Sequence, residues 1–513
     1  MSAQAYPVVK RIGLLLGPVL AVALLLMPSP EGMTPEGQRV GAVALLMGVW
    51  WITEAIPIPA TSLAPLALFP LLGIMDGKNL AVSYGDQNIF LFAGGFFIAM
   101  AMQKWGLHER LALNIIVRTG TNPHRLVLGF MAATAFLSMW MSNSATAMMM
   151  LPIGLAVIGE VAAKASQDEA GKEAAGNFSV CVALGIAYAA SIGGVGTLVG
   201  TPPNIVLVGA MTKLFPEAPR IGFGQWMLVG VPLVLILTPI TWLLLTRVMY
   251  PVSALGDESD GDAAIRERLA ALGPMRRAER VVMLTFLATA LAWIFRADLN
   301  LGSLTIPGWS RLLPDAKFVN DGTVAILFSL LLFTIPSGKA RGDMVLDWDW
   351  ALRIPWGVLL LFGGGFALAE GFSTTGLVEW AGDRLAVLSG FSLLATVLVL
   401  CTAVTFLSEV TSNTALSTIM LPILAATATQ ALGVHPLVLL IPATLSNSLA
   451  FMMPVGTPPN AIVFGSGCVT MPQMVRAGLV LNLVGIVVVT LITFLIVLPL
   501  FGIGGGEVPA WAR

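Results

Sequence analysis

The chain of 513 residues is 57% hydrophobic and only 11% charged, with a mean hydropathy of +0.88. A soluble domain carries roughly 25% charged residues, so a water-soluble globular protein is excluded. A formal net charge of −1 suggests neither a nucleic-acid partner nor a polybasic lipid-binding tail, and Cys181, Cys401 and Cys468 are too scattered for a disulfide framework or a CxxC metal pattern.

From the N-terminus, Lys10 and Arg11 precede the apolar run Ile12–Met27. This resembles a signal peptide, but the PSPEG that follows offers no small-x-small cleavage site, so it is read as a retained first span with a signal peptide as the alternative. Further apolar segments near 38–54, 60–74, 124–141, 144–164, 178–211, 226–249, 281–297, 322–336, 392–430, 436–466 and 473–503 are candidate spans, several of them broken or longer than one crossing. The chain is expected to be an all-α, multi-pass integral membrane protein. Its longest hydrophilic stretch, Ser253–Arg280, carries Arg266, Arg268, Arg276, Arg277 and Arg280 and is predicted to be a cytoplasmic linker; Lys339 and Arg341 mark another short inside loop. Arg296–Asn320 is the expected outside loop.

Three patterns occur twice, in the same order, on either side of that linker. LFAGGFFIAM at Leu91–Met100 returns as LFGGGFALAE at Leu361–Glu370. MSNSATAMMMLP at Met141–Pro152 returns as TSNTALSTIMLP at Thr411–Pro422, and VGTPPN at Val199–Asn204 returns at Val455–Asn460. The Gly-rich copies are read as re-entrant hairpins that reverse at Gly94–Gly95 and Gly363–Gly365, with close helix packing as the competing use of those glycines. Ser142-Asn143-Ser144 and Ser412-Asn413-Thr414 are predicted break points of helices. Their side chains suit N-caps, and their hydroxyls, amides and the positive end of a half-helix suit a carboxylate, while their oxygens suit a hard cation such as Na⁺. In GTPPN, successive prolines end a helix inside the membrane, and the carbonyls left exposed there suit a cation. Irregular backbone survives in a bilayer only where it is buried in protein or lines a cavity, so matched interruptions in two halves point to a transport site.

No Arg or Lys lies in or beside these motifs, so a bound dianion would be compensated by neutral donors, helix dipoles and co-bound cations. Glu409 either attracts a cation or pairs with a loop; Glu54 and Glu370 are read as structural or gating residues. There is no Walker A sequence, no HExxH and no zinc spacing among His108, His124 and His435, and no charged filter repeat, which counts against an enzyme or a channel.

The paired SN and GTPPN motifs, with TEAIPIPATSLAPL at Thr53–Leu66, resemble the divalent anion:sodium symporter family, the INDY-like di- and tricarboxylate carriers, over nearly the whole chain. The resemblance implies inverted repeats with re-entrant hairpins and broken helices, a scaffold and a mobile transport domain that moves as an elevator, a homodimer in a bacterial inner membrane, and Na⁺ as coupling ion without an organic cofactor. It implies domains at 1–80 (scaffold spans), 81–250 (first hairpin and motifs), 251–280 (linker), 281–350 (scaffold spans) and 351–513 (second hairpin and motifs). It implies one sodium site at Ser138, Ser142, Asn143 and Gly200, a second at Ser408, Ser412, Asn413 and Gly456, and substrate contacts from Ser142, Asn143, Ser144, Thr201, Pro202, Ser412, Asn413, Thr414, Thr457 and Pro458. The first motif departs from the family pattern: Ser144 lacks the methyl group of Thr414, which leaves substrate preference open. The expected function is sodium-coupled symport of C4-dicarboxylates such as succinate, malate or fumarate. A sodium-independent exchanger and a sodium-coupled citrate or sulfate carrier are the alternatives.

Overall fold

Long apolar runs become helices here because no other element satisfies its own backbone in lipid, and their ends fall at caps, glycines and prolines. The computed structural model describes residues 8–120, 122–164, 169–252, 261–301, 304–340, 342–384, 390–504 and 507–512. Residues 253–260 of the predicted linker and Arg341 lie outside them. Among the described residues seven helices are long and apolar enough to cross a membrane: Val8–Leu26, Asn143–Ala163, Glu169–Gly194, Phe223–Met249, Trp356–Thr374, Asn413–Ala431 and Met471–Leu500. Shorter apolar helices, Asp321–Thr334, Leu393–Ser408 and Leu437–Asn447 among them, fill the spaces between. Among the described residues the only strands are the two of an antiparallel ribbon in the predicted outside loop, pairing Leu299 with Ile306.

The predicted segment 178–211 is two helices, Glu169–Gly194 and Pro202–Leu214, and 436–466 is likewise Leu437–Asn447 and Pro458–Gly465. Glu169–Gly194 is the centre of the first half, with 83% of its most apolar window buried. Two neighbours run along it in opposite directions. Pro123–Ser138 runs parallel to it, with Met131 beside Gly185 and Ser138 bonded to Ala190. Asn143–Lys164 runs antiparallel, with Asn143 beside Gly194 and Gly154 beside Ile186 and Val182. The chain therefore reverses at the SN motif, which is the tip of a helical hairpin rather than a gap in one straight helix. The same element order recurs in the second half, as Leu393–Ser408, Asn413–Ala426, Leu437–Asn447 and Pro458–Gly465.

The chain does not reverse at Gly94–Gly95 or at Gly363–Gly365, where the sequence predicts it. Gln87–Lys104 and Trp356–Thr374 run through their glycines as unbroken helices. The glycines serve close packing instead: a Cβ on Gly94 would lie 2.5 Å from that of Ala325, and Ser329 Oγ donates to the Gly94 carbonyl at 3.0 Å. The chain turns about three helical turns later, at Gly106 (φ 71°) and Gly376 (φ 72°), left-handed positions that favour glycine. There the arms Leu107–Thr119 and Leu377–Arg384 begin, the first bent by 75° from its predecessor.

The halves interlock. Pro202–Leu214 packs on Asn413–Ala426 and Trp356–Thr374 of the other half, while Pro458–Gly465 packs on Glu169–Gly194 and Asn143–Lys164. Lys213 and Glu370 seal one such contact with a 2.9 Å ion pair, and Glu54 pairs with Lys10 at 3.2 Å, so both acids hold structural contacts. The linker helix Gly261–Ala271 lies against Leu107–Thr119 and Asn143–Lys164. Behind it, the buried Glu279 carboxylate takes the Arg110 guanidinium, which also reaches the Gly273 carbonyl at 3.0 Å.

Candidate functional site

At the first hairpin tip, Ser142 caps its own helix: its hydroxyl oxygen accepts from Ala145 N at 3.3 Å, and its carbonyl accepts from Thr146 N at 3.0 Å. That leaves Asn143 to face inward. The carboxamide atom it presents lies 2.7 Å from Ser138 Oγ, 3.1 Å from the Ala190 carbonyl oxygen and 3.3 Å from the Gly200 carbonyl oxygen. With nitrogen in that place the amide donates to all three. That orientation satisfies the amide here, and a small hard cation would find the same hydroxyl and carbonyl ligands once the amide turned its oxygen inward. Ser138, Asn143 and Gly200 thus lie together with the Ala190 carbonyl, while the Ser142 hydroxyl turns to its own helix.

The broken segment between Gly194 and Thr201 is shaped around this cluster. A Cβ on Gly194 would overlap the Asn143 amide, so a side chain here would displace that amide. Asn204, the last residue of GTPPN, donates to the carbonyls of Thr197 (2.7 Å), Gly194 (3.2 Å) and Val195 (3.3 Å), and the Thr197 hydroxyl donates to the Met139 carbonyl. The prolines act differently from their predicted part. Pro202 and Pro203 open the helix Pro202–Leu214, where a missing N–H costs nothing, so the motif presents a helix N-terminus as well as the C-terminal carbonyls before it. Thr201 is buried in extended backbone at this junction, without capping the helix through its side chain.

In the second half the same residue types are arranged otherwise. Ser412 occupies the N-cap of Asn413–Ala426 without a side-chain capping bond, and Ser408 Oγ turns to its own helix, donating to the Thr405 carbonyl at 2.7 Å. The Asn413 and Asn447 side-chain oxygens and the Thr457 hydroxyl are buried and without a hydrogen-bond partner, so acceptors stand free here too. Asn447 Nδ2 holds the Asn413 carbonyl and, at 2.6 Å, Ser417 Oγ. Asn460 repeats Asn204, donating to the carbonyls of Ala450 (3.2 Å) and Met453 (3.1 Å). Glu409 clamps the loop: its carboxylate accepts from the backbone N–H of Phe451 (2.7 Å), Met452 (2.9 Å) and Met453 (2.9 Å) and from Asn482 Nδ2 (2.7 Å). Gly456 rests against it, where a Cβ would sit 3.1 Å from Oε2. Of the two roles open to Glu409, the structure shows the loop partner.

Ser144 is half-buried and Thr414 buried, each in the first turn of its helix, with Pro202 half-buried and Pro458 exposed at the starts of theirs. Four helix N-termini, at Asn143, Pro202, Asn413 and Pro458, supply the positive ends of four dipoles. Ala190, Gly194, Thr197 and Asn447 were missed by sequence reasoning. The asparagine ending both GTPPN copies was visible, but only the fold shows that it closes the loop.

Residues 9–503 match the family described as sodium:sulfate symporter transmembrane region. A sodium-dependent dicarboxylate transporter of Staphylococcus saprophyticus is 44% identical over 501 residues, covering 98% of this chain and 94% of the relative. A protein of the same description from Staphylococcus aureus is 44% identical over 495 residues, covering 96% and 92%. Among solved structures, the YdaH transporter of Alcanivorax borkumensis superposes with a TM-score of 0.55 at 15% identity, covering 90% of this chain and 98% of that one. MtrF of Neisseria gonorrhoeae does so with a TM-score of 0.55 at 12% identity, covering 98% of both chains. At those identities the structural likeness speaks for the fold alone.

Proposed function

The chain belongs to the sodium:sulfate symporter family, the divalent anion:sodium symporters, and from that membership we propose that it is a secondary transporter coupling Na⁺ entry to uptake of C4-dicarboxylates such as succinate, malate and fumarate. The observation that carries this reading is the convergence of the Ser138 hydroxyl, the Asn143 carboxamide and the Ala190 and Gly200 carbonyls at a hairpin tip, beside helix N-termini and without a basic side chain in the motifs. A dianion there needs more positive charge than helix ends supply, and no side chain of the motifs provides it, so cations bound at the tips make its entry favourable. Loading the anion and loading Na⁺ then help each other, which is symport.

In this reading one sodium ion takes Ser138, Ser142, Asn143 and the carbonyls of Gly200 and Ala190, and a second takes Ser408, Ser412, Asn413 and the backbone near Gly456. The carboxylates of the substrate lie between the tips, against Ser144 and Thr414, with Thr201, Pro202, Thr457 and Pro458 bordering them. The two hairpins enter the bilayer from opposite faces as an inverted pair. Together with the interrupted helices of 81–250 and 351–513 they move as one body against scaffold helices of 1–80 and 281–350, in an elevator-like displacement within a homodimer.

Purified protein in proteoliposomes is expected to accumulate labelled succinate under an inward Na⁺ gradient. Uptake that is unchanged when choline replaces Na⁺ removes symport and leaves exchange, which preloading with unlabelled dicarboxylate then detects.

A further inference from the structure

On the face opposite the linker, the ends of three segments enclose a cavity of about 390 Å³. The helix from Phe223 to Met249 runs towards the linker, and Arg277–Ile294 returns from it, so the Phe223 and Ile294 ends share the far face. They touch closely: a Cβ on Gly224 would lie 2.5 Å from the Ile294 carbonyl oxygen. With the linker arginines inside, this face is the outer one.

The lining carries three guanidiniums, Arg220, Arg296 and Arg311, against one carboxylate, Asp298. Arg296 is committed to Asp321 and the Val319 carbonyl, and Arg311 to Asp298. Arg220 is exposed and has no carboxylate partner among the described residues. The start of Phe223–Leu243, which has no side-chain cap, turns its positive end into the same space. The apolar wall is Phe223 stacked on Trp293, with ring centroids 4.6 Å apart. Phe223 stacks in turn on Trp140 at 6.1 Å, and Trp140 meets Phe286 edge-on at 5.1 Å. Trp140 stands two residues before Ser142, so a single aromatic stack lies between the cavity and the first hairpin tip.

We propose that this cavity is an outer docking site for the dicarboxylate dianion, with Arg220 supplying its unbalanced positive charge and the Trp140–Phe223–Trp293 stack sealing it from the first SN motif. The volume falls in the range of roughly 300–1,000 Å³ typical of small-ligand sites. An unpaired guanidinium in such a mouth raises the local concentration of anions and speeds their capture, an effect that salt screens. The inference rests on the dicarboxylate reading above.

The test measures the concentration dependence of Na⁺-driven succinate uptake, first at low and then at high ionic strength. Arg220→Gln is expected to raise the external KM by roughly three- to tenfold at low ionic strength with Vmax retained, Arg220→Glu to raise it further, and the difference from wild type to shrink in salt. Wild-type protein that carries no succinate overturns the dicarboxylate reading itself. Wild-type protein that carries succinate, with both variants keeping its KM at low ionic strength, overturns the docking site alone.

Discussion

In the first half of the molecule the loop after Gly194 is held by neutral groups: the Thr197 hydroxyl on the Met139 carbonyl, and the Asn204 amide on three carbonyls. In the second half the loop after Ala450 keeps the asparagine, Asn460, but is gripped mainly by the Glu409 carboxylate through three backbone N–H groups and Asn482. One carboxyl group thus gathers four donors, so the second loop is tied through a single side chain where the first is tied through several. The surroundings of the two motif asparagines differ as well. Asn143 is gathered with Ser138, Ala190 and Gly200, whereas the Asn413 oxygen has no hydrogen-bond partner and Ser408 faces its own helix. Duplication has preserved the residue types and the reversal of the chain while letting each half find its own way to fix its loop.

The largest effects come from the asparagines. Asn143→Ala and Asn413→Ala are each expected to lower Na⁺-driven succinate uptake at least about tenfold, a change of roughly 1.4 kcal/mol or more, with membrane insertion intact. Near-normal uptake by one variant would show that only the other half binds. Next is the glycine that differs between the halves. Gly194→Ala forces a methyl group into the Asn143 amide and is expected to raise the Na⁺ concentration for half-maximal uptake several-fold, by roughly 1 kcal/mol. Ala450→Gly, at the matching position of the second loop, should leave that concentration almost unchanged; equal shifts in both would erase the contrast. The smallest effect on transport, though not on stability, concerns the clamps. Glu409→Gln leaves an amide facing buried N–H donors, each costing about 1–3 kcal/mol if unpaired, whereas Thr197→Val removes one ordinary bond worth about 1 kcal/mol. Thermal unfolding in detergent is expected to fall further for Glu409→Gln, and a reversed order would mean that the carboxylate is not the stronger tie.

The paired motifs were legible because an SN tripeptide or a double proline has few uses in sequence this apolar, and a second copy in the same order removes most of the bland ones. The glycine-rich segments misled for the converse reason. A glycine in an apolar run permits both a reversal and a close approach, and only the neighbour decides which. At Gly94 the neighbour is Ala325, far along the chain, while the bend falls at Gly106, which stands among polar and aromatic residues. Glu409 was ambiguous on the same grounds: its partners at Phe451–Met453 are backbone groups, which leave no mark in side-chain identity.

By itself the sequence determined that this is a multi-pass helical membrane protein with two related halves and helices that stop at four matched places, because hydropathy, proline and capping chemistry are local properties of a run of residues. Tertiary structure alone decided that the SN motifs are hairpin tips, that Ala190 and Gly200 carbonyls meet Asn143, and that one loop is tied by hydroxyl and amide and the other by a carboxylate. Those outcomes depend on which backbone groups are left without partners once helices pack, and that is settled between segments distant in the chain.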